Sequence, residues 1–318
     1  MLTHYTTQLG PVAIHYVTDG PESGPVVMLL HGFPDCWETW RHQMPALAAA
    51  GYRVVAPDLR GYNLSAKPSG VEAYRPSRVA GDVVALIRHL GASRVTLVGH
   101  DWGGIVAWYV TAAQPSLVAR LAVLNAPHPR AFARELYSPL QLLRSWYVFF
   151  FQIPRLPEAL LRARRFAILR HLFRTDPRRA GAFGDEDIER AIEAAAQPGA
   201  LEAMVNYYRA MVRYPDTALG RATRDITTRT MVIWGEHDRY LDEGLLDGLE
   251  RWVPWLRVER LPDASHWVQH DEPERVSELL LDFLAERSEA NTGRDTPAER
   301  GTQETDAEHG TRNGIKRL

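Results

Sequence analysis

Five short apolar runs limit what this chain can fold into. They lie at residues 25–30, 53–56, 94–98, 120–124 and 230–234. They stop at His31-Gly32, Pro57-Asp58, Gly99, Asn125 and Gly235. Runs of four to six residues, apolar on both faces and ended by a turn residue, are the signature of strands buried on both faces of a parallel sheet. Helical periods lie between them. Val79, Val83, Leu86, Ile87 and Leu90 share one face, as do Val276, Leu279, Leu280 and Phe283. Alternating strands and helices predict an α/β fold, a doubly wound and mostly parallel sheet covered on both sides. Two further segments, 3–9 and 12–17, predict an antiparallel hairpin on its edge.

The rhythm stops between His128 and Arg221. These 94 residues hold no strand-like run and seven prolines, so an all-helical insertion at 128–221 is expected within a core made of 1–127 and 222–287. Such a segment is too long for a loop. Residues 288–318 contain only five apolar side chains and eleven charged ones, which predicts a disordered tail. With 45% apolar residues and a net charge of −2, the 318-residue chain has neither the basic surface of a nucleic-acid binder nor an apolar stretch long enough to span a membrane. Its 35 arginines against two lysines carry no functional reading. One cysteine, Cys36, allows no internal disulfide and no cysteine-rich metal site. The first residues have no signal-peptide pattern, so a cytoplasmic location is expected.

Gly99-His100-Asp101-Trp102-Gly103-Gly104 joins an apolar run to the predicted helix 105–113. Small residues at 99, 103 and 104 permit a sharp strand–turn–helix elbow that raises one side chain above the sheet. The usual elbow residue is Ser; here it is Asp101. A carboxylate can attack carbon directly and form an ester, with no prior loss of a proton. The plainer reading is a turn in which Asp101 caps the next helix. After the first central run, His31-Gly32-Phe33-Pro34 is placed to supply a backbone amide, that of Phe33, to an oxyanion hole. The amide of Trp102 would supply the second. Asp238 follows a later strand and His266 the last one. Nucleophile, acid and base in the order 101, 238, 266 is the chain order of the α/β-hydrolases.

On these residues the chain resembles the α/β-hydrolase superfamily, and within it the soluble epoxide hydrolases. The resemblance covers residues 1–287 and rests on His-Gly-Phe-Pro at 31–34, Gly-His-Asp-Trp-Gly-Gly at 99–104, Gly-Glu-His-Asp at 235–238 and Ser-His-Trp at 265–267. The related haloalkane dehalogenases share most of these motifs. The resemblance also assigns two tyrosines of the insertion to holding an epoxide oxygen. Residues 145–154 are similar to the first such segment, with Tyr147 in place, and Asn206-Tyr207-Tyr208-Arg209 to the second, with Tyr208 in place. Helical periodicity alone does not choose between Tyr207 and Tyr208.

The resemblance implies hydrolysis of a small hydrophobic epoxide with water to a vicinal diol, with no cofactor, no metal, no nucleic acid and no membrane. A homodimer is left open. Some dehalogenases carry their acid at the position of Asn125, which is no carboxylate, so Asp238 is the well-placed acid. The rival readings are a haloalkane dehalogenase using the Trp102 side chain on halide, and a non-enzymatic binding protein on the same fold. Asp58 and Arg60 are expected to hold a loop, His100 to support the elbow, and Arg162, Arg164 and Arg165 to face solvent.

Overall fold

The computed structural model describes residues 2–135, 138–214 and 225–286. The expected tail at 288–318 and the expected boundary at 221/222 lie outside the described residues. Eight strands form one sheet: β1 (Thr3–Leu9), β2 (Val12–Asp19), β3 (Val26–Leu30), β4 (Arg53–Pro57), β5 (Val95–His100), β6 (Val118–Leu124), β7 (Thr230–Gly235) and β8 (Leu256–Leu261). Their order is β1-β2-β4-β3-β5-β6-β7-β8. The β1–β2 and β2–β4 pairs are antiparallel and the rest parallel. The chain is therefore α/β as predicted, with the hairpin on one edge.

The two-sided burial is visible in β3. Met28 and Leu30 face a core cluster with Val106 and Ala107 of α3 (Trp102–Ala113) and Val83 and Ile87 of α2 (Pro76–His89). Val27 and Leu29 face the opposite cluster, with Leu47 of α1 (Gln43–Ala49) and with Val276 and Phe283 of the closing helix Pro273–Ala285. One strand feeds two cores, so no polar position interrupts its run.

Between β6 and β7 the described residues hold helices and no strand: α4 (Pro129–Glu135), α5 (Pro139–Arg144), α6 (Trp146–Phe150), α7 (Leu156–Thr175), α8 (Asp185–Ala196) and α9 (Ala200–Arg213). They pack with the sheet into one compact unit, Met1–Ala285. Helix α7 is broken in the middle. Ala163 is extended, and Arg164, Arg165 and Phe166 have φ of 49°, 57° and 63°. No Gly or Pro lies between residues 158 and 176, so the local sequence does not dictate the break. Its two halves supply Leu160 and Leu161, then Ile168, Leu169 and Leu172, to the same cavity. The exposed turn between them carries Arg162, Arg164 and Arg165.

Candidate active site

Asp101 stands between the end of β5 and the start of α3, with φ 50° and ψ −122°. A non-glycine residue there stores about 1–3 kcal/mol of strain, held by its surroundings. Those surroundings are glycines with no spare room. A Cβ on Gly103 would lie 2.1 Å from the Leu30 carbonyl oxygen, one on Gly99 would lie 2.4 Å from that of Gly103, and one on Gly104 would lie 2.4 Å from Ala126 Cβ. The Asp101 side chain makes no capping hydrogen bond into α3. Instead its Oδ1 accepts the Phe33 amide at 2.7 Å. Gly32 is needed beside it, because a Cβ there would lie 2.4 Å from the Asp101 carboxylate. Burial pushes the Asp101 pKa up, while His266 and the amides of Phe33 and Trp102 pull against that rise.

The loop that carries Phe33 is fixed from behind. His31 accepts the Leu59 amide on Nε2 at 3.0 Å, and its Nδ1 lies 3.0 Å from the Gly32 carbonyl, a pairing suited to the neutral imidazole. Burial keeps the His31 pKa low. Asp58 accepts the Trp37 amide at 3.1 Å and Asn63 Nδ2 at 2.9 Å, and Arg60 pairs with Asp82, so both hold loops as expected.

Past β7, Asp238 is surrounded by donors. Its Oδ1 accepts the amides of Tyr240 and Leu241 at 2.7 and 3.0 Å. Its Oδ2 accepts His266 Nδ1 at 2.7 Å and Asn125 Nδ2 at 2.8 Å. The other ring nitrogen of His266, Nε2, lies 3.7 Å from Asp101 Oδ2. Burial opposes a charge on His266, but Asp238, Asp101 and Asp176 outweigh it and raise its pKa to about 9. Burial and the neighbouring His266 hold His100 well below its ordinary pKa. His100 Nε2 meets the His266 carbonyl at 2.8 Å and so ties the elbow strand to the loop of His266.

A cavity of about 440 Å³ opens on Asp101 and His266. Its walls are nearly all apolar: Phe33, Pro34 and Trp267 from the sheet side, and Trp146, Phe150, Phe151, Leu161, Leu169 and others from the helical insertion. The exceptions include Tyr147, Tyr208 and Tyr240. Tyr147 and Tyr208 meet edge to face, 5.6 Å between ring centroids. Burial first, and then the Asp101 carboxylate, push both phenols far above their ordinary pKa, so both keep their protons at neutral pH. Tyr207 points elsewhere, donating to the Arg60 carbonyl at 2.8 Å. The side chain of Trp102 packs against Tyr207 and Tyr208 and lines a second apolar cavity of about 390 Å³, not this one.

This geometry is a carboxylate held in an elbow, an imidazole braced by a second carboxylate, and two amides at the elbow. The family model for the alpha/beta hydrolase fold matches residues 25–273. The chain is 38% identical over 280 residues to mouse epoxide hydrolase 4, covering 86% of this chain and 77% of that one. The chain is an α/β hydrolase of the epoxide hydrolase family. It is also 40% identical over 275 residues to the AB hydrolase superfamily protein YfhM of Bacillus subtilis, covering 86% and 94% of the two chains. Among solved structures it is similar to an epoxide hydrolase of Bacillus megaterium crystallised with an inhibitor, with a TM-score of 0.80, 32% identity, and coverage of 89% of this chain and 100% of that one.

Three parts of this hydrolase site are not foreseen by its sequence motifs. Asn125 donates to Asp238 and accepts the Gly235 amide at 2.9 Å, so it braces the Asp238 carboxylate. Arg209 ties the two tyrosine helices together, donating from α9 to the carbonyls of Phe151 and Ile153 at 2.9 Å while paired with Glu158. Tyr240 lies edge-on to His266, 5.2 Å away, and to Tyr147, 5.7 Å away. Arg209 itself stands in the quoted segment Asn206-Tyr207-Tyr208-Arg209, but the motif does not tell what it holds.

Proposed function

We propose that this chain hydrolyses epoxides to vicinal diols through a covalent ester on Asp101, with the helical insertion at 128–221 acting as a cap over the site. The observation that carries the reading is the Asp101 carboxylate: one oxygen is held by the Phe33 amide, the other faces His266, and the same cavity holds two protonated tyrosines. Tyr147 and Tyr208 donate hydrogen bonds to the epoxide oxygen. Asp101 attacks a ring carbon. The ring C–O bond breaks, its electron pair goes to the oxygen, and one tyrosine supplies the proton.

His266, held by Asp238, then takes a proton from water. That water attacks Cγ of Asp101, and the amides of Phe33 and Trp102 stabilise the oxyanion, with each donor worth about 3–4 kcal/mol in a comparable hydrolase. His266 returns its proton to the alkyl oxygen as the bond from that oxygen to Cγ breaks, which releases the diol, and the proton left on the new Asp101 carboxyl passes through solvent to the tyrosinate, restoring both groups. The water oxygen stays on Asp101. The apolar walls favour a small hydrophobic substrate.

The Trp102 side chain, which a halide site would use, is engaged by the Tyr208 hydroxyl instead. One panel of epoxides and haloalkanes tests the reading. Diol formation from epoxides without halide release from haloalkanes is expected. The double variant Tyr147→Phe/Tyr208→Phe should open epoxides at least ~100-fold more slowly, the low end of what a general acid contributes. Undiminished epoxide opening in that variant, or efficient halide release by the unaltered protein, would overturn it.

A further inference from the structure

Asp176 follows α7 directly, as its C-terminal cap, within the helical insertion, yet everything its carboxylate binds belongs to the core. Its Oδ2 accepts the indole N–H of Trp267 at 2.9 Å, and its Oδ1 lies 3.3 Å from Arg239. The Tyr240 hydroxyl also donates to it. Trp267 follows the proposed base, while Arg239 and Tyr240 follow the proposed acid. The side chain is 5% exposed, so these donors and not water satisfy it.

We propose that Asp176 is a positioning residue through which the cap completes the catalytic centre: it fixes the residues next to both acid and base, and it adds a third carboxylate to the surroundings of His266. The proposal rests on the reading of Asp101, Asp238 and His266 given above. A second set of cap contacts works the same way on the acid loop. Arg144 donates to the carbonyls of Asp238 and Leu241 at 2.9 Å, and Gln141 donates to that of Tyr240 at 2.9 Å. Those contacts fix the backbone. Asp176 also brings charge.

The groups that face His266 come from several elements. Asp101 and His100 come from the elbow strand, Asp238 and Tyr240 from the loop after β7, Tyr147 from α6 by way of Tyr240, and Asp176 from the end of α7 with Arg239 upon it. His100 is neutral, because burial holds its pKa low, and both tyrosines are protonated. The carboxylates that raise the His266 pKa are Asp238, Asp101 and Asp176, and of these three Asp176 comes from the cap, with Arg239 paired to it.

The test is a titration of His266 by NMR in the resting protein, with no substrate present, so its outcome is independent of which reaction the enzyme performs. Asp176→Asn keeps the shape and one acceptor but removes the charge. The His266 midpoint should fall from about 9 by roughly half a unit or more. Arg239→Gln, at a side chain 67% exposed, removes the opposing cation and leaves the core packing alone, so the midpoint should rise. If Asp176→Asn does not fold, the Arg239→Gln shift decides. Midpoints equal to that of the unaltered protein, whatever the change in melting temperature, would make Asp176 a purely structural contact and overturn the proposal.

Discussion

His266 is buried among carboxylates, and its pKa of about 9 makes it an imidazolium in the resting protein at neutral pH. An imidazolium cannot take a proton from water. The proposed ester resolves this, because esterification turns the charged Asp101 into a neutral group 3.7 Å from Nε2. One of the charges that raise the pKa disappears when the base is needed, so the proton affinity of His266 falls. Hydrolysis of the ester, followed by rapid mixing from pH 6 to pH 10, should accelerate with pH through a midpoint below that of His266 in the resting protein. Coincident midpoints near 9 would contradict the coupling. Asn125 and Asp176 belong to this same network, and neither role can be read from the sequence. Their partners lie 113 and 91 residues away, at Asp238 and Trp267, and short motifs carry no trace of such pairings.

The legible elements are those whose burial is asymmetric or complete along a short stretch. The central strands β3 to β7 are visible because both faces are apolar, and the elbow because its glycines answer contacts that admit no Cβ. Helix α9 is different. Glu202, Asn206, Arg209 and Arg213 form one polar face of this helix, and Tyr207 and Tyr208 lie to either side of it, both buried, so amphipathicity does not mark which tyrosine points into the cavity. Only the family motif distinguishes Tyr208 from Tyr207, and the two rings do face different neighbours. The break in α7 has no local breaker, and both its halves line one cavity, an arrangement that sequence periodicity cannot express.

Two glycines, one in the elbow and one in an open helix, should respond to alanine with opposite signs. Gly103→Ala would push a methyl group against the carbonyls of Leu30 and His31, backbone that cannot retreat, so a loss of about 1–3 kcal/mol is expected, with loss of activity. Gly81→Ala, inside α2 with nothing within 4 Å of its Cβ, should gain about 0.5–1 kcal/mol. Denaturant midpoints of the two variants check both signs.

Across the whole molecule, the parallel sheet gathers residues 33, 101, 238 and 266 from distant parts of the chain at the carboxyl ends of its strands, where open α/β sheets place their ligands. The helical insertion then covers that edge. It contributes most of the apolar wall, the two tyrosines, and, in Gln141, Arg144 and Asp176, side chains that bond the loops of Asp238 and His266. The chemistry of the whole depends on Asp101 being the atom source in the first step. A single turnover of excess enzyme with an epoxide in oxygen-18 water, followed by mass analysis of the peptide that contains Asp101 and of the diol, measures this. Label in the Asp101 carboxylate and an unlabelled diol are predicted. Label in the diol with Asp101 unlabelled would mean that water attacks the epoxide directly, and that Asp101 is not the nucleophile.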